Sequence, residues 1–447
     1  MDTPICDFVR DYTLRGAMRL HMPGHKGKKL LGMEPLDITE FDGADELYHA
    51  EGIIRRSEEN AASLLGAEKT LYSAEGSSLC IRAMLYLALL HAKAAGRRPV
   101  IAAGRNAHKV FMTAAALLDI QIRWLYPQNP ENLIACEITA EQLEAALSAG
   151  EKPAAVYLTS PDYLGHIADI RALADVCHRH GVLLLVDNAH GAYLHFLPEH
   201  RHPMDLGADL CCDSAHKTLP VLTGGAYLHI AHGAPQHILA QAESAMSVFA
   251  STSPSYLILQ SLDAANRYLA EDYTEHLAET IARVKRLKAR LIKHGYAIVG
   301  DEPTKLTLAP KALGYTGNAL AALLLHENVV CEFHDPDFLV LMFTPETAYA
   351  NFERLEQVLL SVPPKAPLPE RPPLPGRPVP ICSPREALLS PAVELPAADC
   401  LGRVLASANV GCPPAIPIVA CGERIDENAL RCFRYYGIET CFVLPES

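Results

Sequence analysis

Asp213-Ser214-Ala215-His216-Lys217-Thr218-Leu219-Pro220 follows a short apolar run, Asp209 to Cys212, and precedes the flexible pair Gly224-Gly225. This order places Lys217 in a loop just past a buried strand, and loops at strand ends are where reactive groups concentrate. A lysine there can form an imine with a carbonyl cofactor, provided its surroundings desolvate it enough to release the free amine. Read alone, the stretch is better explained by a solvated surface lysine, because most lysines are exposed.

A second stretch reverses that reading. Leu183-Leu184-Leu185-Val186-Asp187-Asn188-Ala189-His190-Gly191-Ala192 is an apolar run that ends in a carboxylate. It reads as a central parallel strand delivering Asp187 to its carboxyl end, where open α/β sheets bind their ligands. An aspartate there can cap the following helix. It can also hold a protonated ring nitrogen, which in pyridoxal phosphate (PLP) chemistry keeps the pyridinium charged, so that the ring accepts electrons from a breaking bond at Cα. The two stretches together favour the second role.

The 447 residues exceed one typical domain, so two or three are expected. A hydrophobic content of 49% with 20% charged residues describes an ordinary globular chain. The net charge of −13 argues against nucleic acid as a partner, since phosphate binding wants a basic patch. The start, Met1-Asp2-Thr3-Pro4, shows no secretory pattern, and no apolar run approaches a membrane span. A cytoplasmic protein without a membrane partner is expected. The 13 cysteines are scattered, with no CxxC pair and no metal-ligand spacing to histidine. They are expected to be reduced and mostly buried, and no metal site is expected.

Along the chain, residues 1–55 have little periodicity and read as an N-terminal arm. The arm holds a structured loop, His21-Met22-Pro23-Gly24-His25-Lys26-Gly27, and an acidic stretch from Asp37 to Leu47. The carboxylates of Asp42, Asp45 and Glu46 could receive an amine or guanidinium, although a solvated acidic loop is the simpler reading. From Glu58 helix and strand alternate, which implies a mostly parallel sheet covered on both faces, within a large domain at 56–250. Gly76, Ser77 and Ser78 open a long helix directly after a strand, so they make an anion site or merely a helix cap. His108, at another strand end, could stack on an aromatic cofactor, move a proton, or simply start a helix. A smaller α+β domain is expected over 251–362, a proline-rich extended linker over 363–381 and a small C-terminal domain over 382–447.

These stretches, taken with Asn106-Ala107-His108-Lys109, Ser251 to Tyr256 and Pro413-Pro414-Ala415-Ile416-Pro417, resemble the Orn/Lys/Arg decarboxylase family in order and over nearly the full chain. The resemblance implies a PLP enzyme of fold type I, in the short form without an N-terminal response-regulator-like domain. It would decarboxylate arginine, lysine or ornithine and feed polyamine metabolism. It assigns Lys217 as the imine partner of PLP, Asp187 to the ring nitrogen, His108 to one ring face, and Ala189, with His190 beside it, to the other. Gly76, Ser77, Ser78, Ser214 and His216 are assigned to the phosphate or substrate. Lys217 and His216 become candidates for returning a proton to Cα. Thr252 and Ser253 resemble a segment that reaches a neighbouring subunit's cofactor, which implies at least a homodimer.

The chain departs from the family pattern at three positions. Glu75 stands where asparagine is common, Asn188 replaces a usual glutamate and Ala415 a usual glycine. A carboxylate at 75, near a phosphate, is expected to weaken the cofactor's hold. Two other classes keep the Lys217 and Asp187 pair in view: another fold-type-I activity, such as an aminotransferase or lyase, and a non-catalytic regulator built on a decayed enzyme.

Overall fold

The computed structural model describes residues 1–408 and 415–446, so Pro413-Pro414 of the last motif lie outside the described residues. Seven strands, β1 (Lys69–Ser73), β2 (Val100–Gly104), β3 (Gln121–Leu125), β4 (Ala155–Thr159), β5 (Leu183–Asp187), β6 (Leu210–Asp213) and β7 (Ala226–Ile230), form one sheet in the order β1-β7-β6-β5-β4-β2-β3. The pairs β2/β3 and β5/β6 are parallel, while β7 runs antiparallel to both its neighbours. All five residues of β5 and of β7 are buried. Continuous apolar runs fit such strands because helices cover both faces. Each fully buried leucine or valine of Leu184-Leu185-Val186 contributes on the order of 1.5–3 kcal/mol by leaving water.

Residues 1–98, 152–156 and 170–275 make one compact unit. Within it the helix Ser77–Ala94 buries Leu79, Met84, Leu85 and Leu87 and packs against the helix Gln236–Ser247. The arm is more ordered than its sequence suggests. Pro4–Leu14 is a helix that buries Ile5, Val9 and Tyr12. The Cys6 N–H donates to Asp263 Oδ2 at 2.9 Å, and the other oxygen of Asp263 accepts from the Ser57 hydroxyl at 2.6 Å. The Asn266 side-chain amide donates to the Tyr72 hydroxyl at 2.8 Å, extending this buried network to β1.

The helix expected from Glu58 begins earlier and spans Ile53–Leu64. Asp45 explains the difference. Its carboxylate accepts the backbone N–H groups of Glu46, Glu51, Gly52 and Ile54 at 2.8–3.0 Å. Burial works against the charge, but these donors outweigh it and hold the carboxyl below its ordinary range. Asp45 is therefore a cap for the first turn of that helix and is already committed to backbone, which removes it as a receptor for a substrate cation.

Residues 99–151, 157–169 and 276–447 make the second unit. There β8 (Ala297–Val299), β9 (Lys305–Ala309), β10 (Phe333–His334) and β11 (Leu339–Met342) form an antiparallel sheet in the order β10-β11-β9-β8. Leu306, Leu308, Leu320, Leu339 and Leu359 build its core. Near the C-terminus β12 (Val393–Pro396) pairs with β13 (Thr440–Val443) over a core that includes Ile418, Val419, Cys432 and Phe433. Residues 363–379 carry neither helix nor strand. Among the described residues, the cysteines are free thiols, and no helix is long and apolar enough to cross a membrane.

Candidate active site

Lys217 sits on a one-turn helix, Ala215–Thr218, that begins directly after β6. The sequence predicts a loop here; the turn closes because the Leu219 N–H donates to the Ala215 carbonyl at 2.8 Å. The Lys217 Nζ lies 3.2 Å from His190 Nε2. Both the His216 N–H and its Nδ1 meet the Gly225 carbonyl, at 3.1 and 2.9 Å. A carbonyl only accepts, so Nδ1 carries the hydrogen and the lone pair of His216 is on Nε2.

Asp187 closes β5 and is 3% exposed. Its Oδ1 accepts from the Ala189 N–H at 3.2 Å and from the Cys212 thiol at 3.7 Å. Burial pushes that thiol well above its ordinary range, which keeps it a neutral donor.

The turn before the helix Ser77–Ala94 has the backbone an anion requires. Gly76, at φ 72°, is in the left-handed region that favours glycine. The first helical N–H groups that follow it have no intrahelical acceptor. The Gly76 N–H itself donates to the Gly224 carbonyl at 2.7 Å. The Ser214 hydroxyl is 2.7 Å from the Ser77 hydroxyl. A helix N-terminus, two hydroxyls, a lysine and a buried strand-end carboxylate in one unit form a donor set that fits PLP.

Glu75 does not aim at this anion space as a bare charge. Its Oε1 accepts the Ser251 N–H at 2.7 Å, and the Ser251 hydroxyl accepts from the Ser253 N–H at 3.2 Å. The carboxylate thus anchors the turn bearing Thr252 and Ser253, both exposed. His108 belongs to the second unit, where it caps the helix Lys109–Leu118 by accepting the Val110 N–H on Nδ1 at 3.2 Å. Beside it, the Lys109 N–H donates to the Ala415 carbonyl at 2.9 Å.

Sequence reading missed the polar network beneath Lys217. Asp213, fully buried, accepts from the Asn188 amide at 2.7 Å on Oδ1, and on Oδ2 from His202 Nε2 at 3.0 Å and His229 Nε2 at 3.2 Å. His202 Nδ1 accepts the Met204 N–H, so its hydrogen is on Nε2 and is given to Asp213. His229 Nδ1 lies 2.8 Å from the Thr70 hydroxyl. Burial opposes ionisation of Asp213, but the two imidazoles and their N–H donors hold it well below the carboxylate range. Burial likewise lowers His229 from its ordinary value and keeps it neutral.

Solved structures share this architecture. The Francisella novicida lysine decarboxylase LdcF superposes with a TM-score of 0.80 at 16% identity, over 99% of this chain and 81% of that one. The constitutive lysine decarboxylase of E. coli gives 0.78 at 17% identity, over 99% and 82%. An alanine–glyoxylate aminotransferase from Nostoc sp. gives 0.54 at 18% identity, over 68% and 86%. The fold is that of the fold-type-I PLP-dependent enzymes. Residues 3–306 match the major domain of the Orn/Lys/Arg decarboxylases, and the chain belongs to that decarboxylase family. Arginine decarboxylases of Bacillus subtilis (strain 168) and Halalkalibacterium halodurans are similar, the first 29% identical over 96% of this chain and 92% of its own length, the second 30% over 97% and 93%.

Proposed function

We propose that this protein uses PLP to remove the α-carboxylate of a basic amino acid as carbon dioxide, with arginine the first substrate to test and lysine and ornithine next. The amine product would feed polyamine metabolism in the cytoplasm. The observation that carries the reading is the tie from Ser214 to Ser77, which joins the lysine motif to the helix N-terminus in the unit where Asp187 ends β5. Arginine comes first because relatives matching nearly the whole chain are arginine decarboxylases.

When bound, PLP supplies an electron sink for the pair released from the Cα–carboxylate bond. Lys217 would hold it covalently, Asp187 would keep its ring nitrogen protonated, and Ser77, Ser78 and Ser214 would take its phosphate. His108 is assigned to one ring face and Ala189 to the other, as in the family. His190, whose Nε2 is 3.2 Å from Lys217 Nζ, would take a proton from the ammonium and leave the free amine. His216, whose ring is locked through Nδ1, would have to take up a proton on Nε2 before handing it to Cα, and Lys217 is the other donor candidate.

The working form is proposed to be a homodimer. Support comes from the arm, whose Met18, Leu20, Met22, Leu30 and Leu31 side chains are largely exposed, Leu31 by 93%. Apolar surface of this concentration marks an interaction site. Thr252 and Ser253, held on an exposed turn by Glu75, would complete the neighbour's site.

The test offers arginine, lysine and ornithine separately to the PLP-loaded enzyme, with carbon dioxide measured and the amine identified by mass. Carbon dioxide and the matching amine from at least one of the three are expected. Release only from an aromatic or acidic amino acid, or a keto acid in place of carbon dioxide, overturns the reading.

A further inference from the structure

A second constellation in the first unit belongs to none of this chemistry. The short helix Ala192–Phe196 carries His195, the helical turn Pro203–Leu206 carries Asp205, and His200 lies on the connection between them. One nitrogen from each imidazole and one carboxylate oxygen lie within 4.8 Å of one another.

We propose that His195, His200 and Asp205 bind one borderline divalent transition-metal ion, of which zinc is the representative.

The tautomers support this. His200 Nδ1 is 2.9 Å from the His195 carbonyl, which only accepts, so the hydrogen is on Nδ1 and the lone pair is on Nε2. His195 Nδ1 sits between both oxygens of Asp205, at 3.0 and 2.9 Å. The His200 imidazole is thus oriented by a backbone carbonyl, the support that metal-ligating histidines have, while His195 and Asp205 approach each other as neighbouring members of one ligand set. Two imidazoles suit zinc, copper, nickel and cobalt, whereas magnesium and calcium prefer all-oxygen sets. Three protein donors leave a position for water.

The support is rigid. Tyr193 and Leu194 are buried, and Phe196 packs edge-on against Tyr273. The connection is pinned by the His200 N–H on the Leu197 carbonyl and the Arg201 N–H on the Leu194 carbonyl, at 3.0 and 3.2 Å. His200 has φ 47°, a conformation that non-glycine residues adopt rarely and that aims its ring at this cluster. An ion can still enter, because the side chains of His195 and Asp205 are each 18% exposed and His200 is exposed. By contrast His202, Cys211 and Asp213, which also converge, are fully enclosed. The His195–His200–Asp205 set is spaced His-x4-His-x4-Asp, which matches neither CxxC nor zinc-finger spacing.

The test uses untagged, PLP-loaded enzyme stripped of metal by a chelator and titrated with zinc by calorimetry. Wild type is expected to bind one equivalent that His200→Asn and Asp205→Asn each weaken at least about tenfold. Asparagine tolerates the left-handed backbone at 200 and is nearly isosteric at 205. His232→Ala, which removes an exposed imidazole paired with Glu68, should leave that equivalent unchanged. Cobalt should give visible bands of nitrogen ligation in wild type that both asparagine variants lose, while all variants keep the metal-free melting temperature. Absence of a stoichiometric equivalent in wild type, wild-type affinity in His200→Asn, or an equal loss in His232→Ala overturns the proposal.

Discussion

The Ser214 hydroxyl lies 2.7 Å from the Ser77 hydroxyl, so residues 137 positions apart share one hydrogen bond between the lysine motif and the start of a long helix. Each serine orients the other, and together they present oxygens where the helix N-terminus favours negative charge.

Replacing Ser214 by Ala, or Ser77 by Ala, removes one such group. A hydrogen bond to a charged partner contributes roughly 1.5–3 kcal/mol, so PLP affinity should fall about ten- to a hundredfold. The double replacement should cost less than the sum, because the two hydroxyls interact. Fluorescence titration of cofactor-free enzyme measures all three. An unchanged affinity in both single variants would remove Ser77 and Ser214 from the phosphate site.

Asp187→Asn keeps the size of the side chain and removes its charge. Turnover should fall at least about ten- to a hundredfold, from the loss of a buried charge-assisted bond. Borohydride should still fix pyridoxyl on Lys217, identified by peptide mass, whereas Lys217→Ala should show no label. Normal turnover of Asp187→Asn with PLP bound would make Asp187 a strand-end cap only.

Glu58 carries a pH signature. It is buried beneath β1, its Oε1 accepts the Tyr72 N–H at 2.8 Å, and burial pushes its carboxyl from 4.5 up to about 8. The folded state holds a proton that the unfolded chain has released, so this contribution to stability is complete below about pH 4.5 and is lost as pH rises to about 8. Glu58→Gln retains the carbonyl acceptor and has no proton to lose. Its stability relative to wild type should therefore grow with pH across that window, by up to about 1.4 kcal/mol per unit. Urea unfolding at pH 5.5 and pH 8 reads the difference; a constant offset would show that Glu58 is ionised in the fold.

Leu30→Ser with Leu31→Ser removes the most exposed leucine of the arm and its neighbour without touching the buried face of the helix Pro4–Leu14. Dimer dissociation should become at least about tenfold easier by sedimentation, from the apolar area lost at an interface. Activity should fall on dilution in parallel. A monomeric wild-type enzyme with full activity would refute the shared site.

The strands that carry Asp187 and lead to Lys217 were legible because β5 and β6 are uninterrupted apolar runs ending in a carboxylate, a pattern that few environments other than a covered sheet accept. The glycine and hydroxyl turn at 76–78 was legible for the same reason, as a strand followed at once by a helix. The arm was harder to read. Asp45 caps a helix that starts eight residues later, so its carboxylate reads locally as part of an acidic loop. The network around Asp213 was not legible at all. Asn188, His202 and His229 come from different elements, and the pairing of Cys211 with His229 across β6 and β7 aligns strands whose pairing carries no local signal. Lys217 lies on a four-residue helical turn, too short for sequence periodicity to register.

The Asn188–Asp213 bond also constrains how this chain can change. Restoring glutamate at 188 alone would bury a second carboxylate against Asp213, and two such neighbours cannot both stay ionised. Removing the Asp213 carboxylate alone would strip His202 and His229 of their shared acceptor. Each single step leaves either two crowded carboxylates or two imidazoles without their acceptor, so positions 188 and 213 should tolerate change only as a pair, with the acid on one side and the amide on the other. Engineers grafting the common family motif onto this scaffold one residue at a time would meet the same barrier.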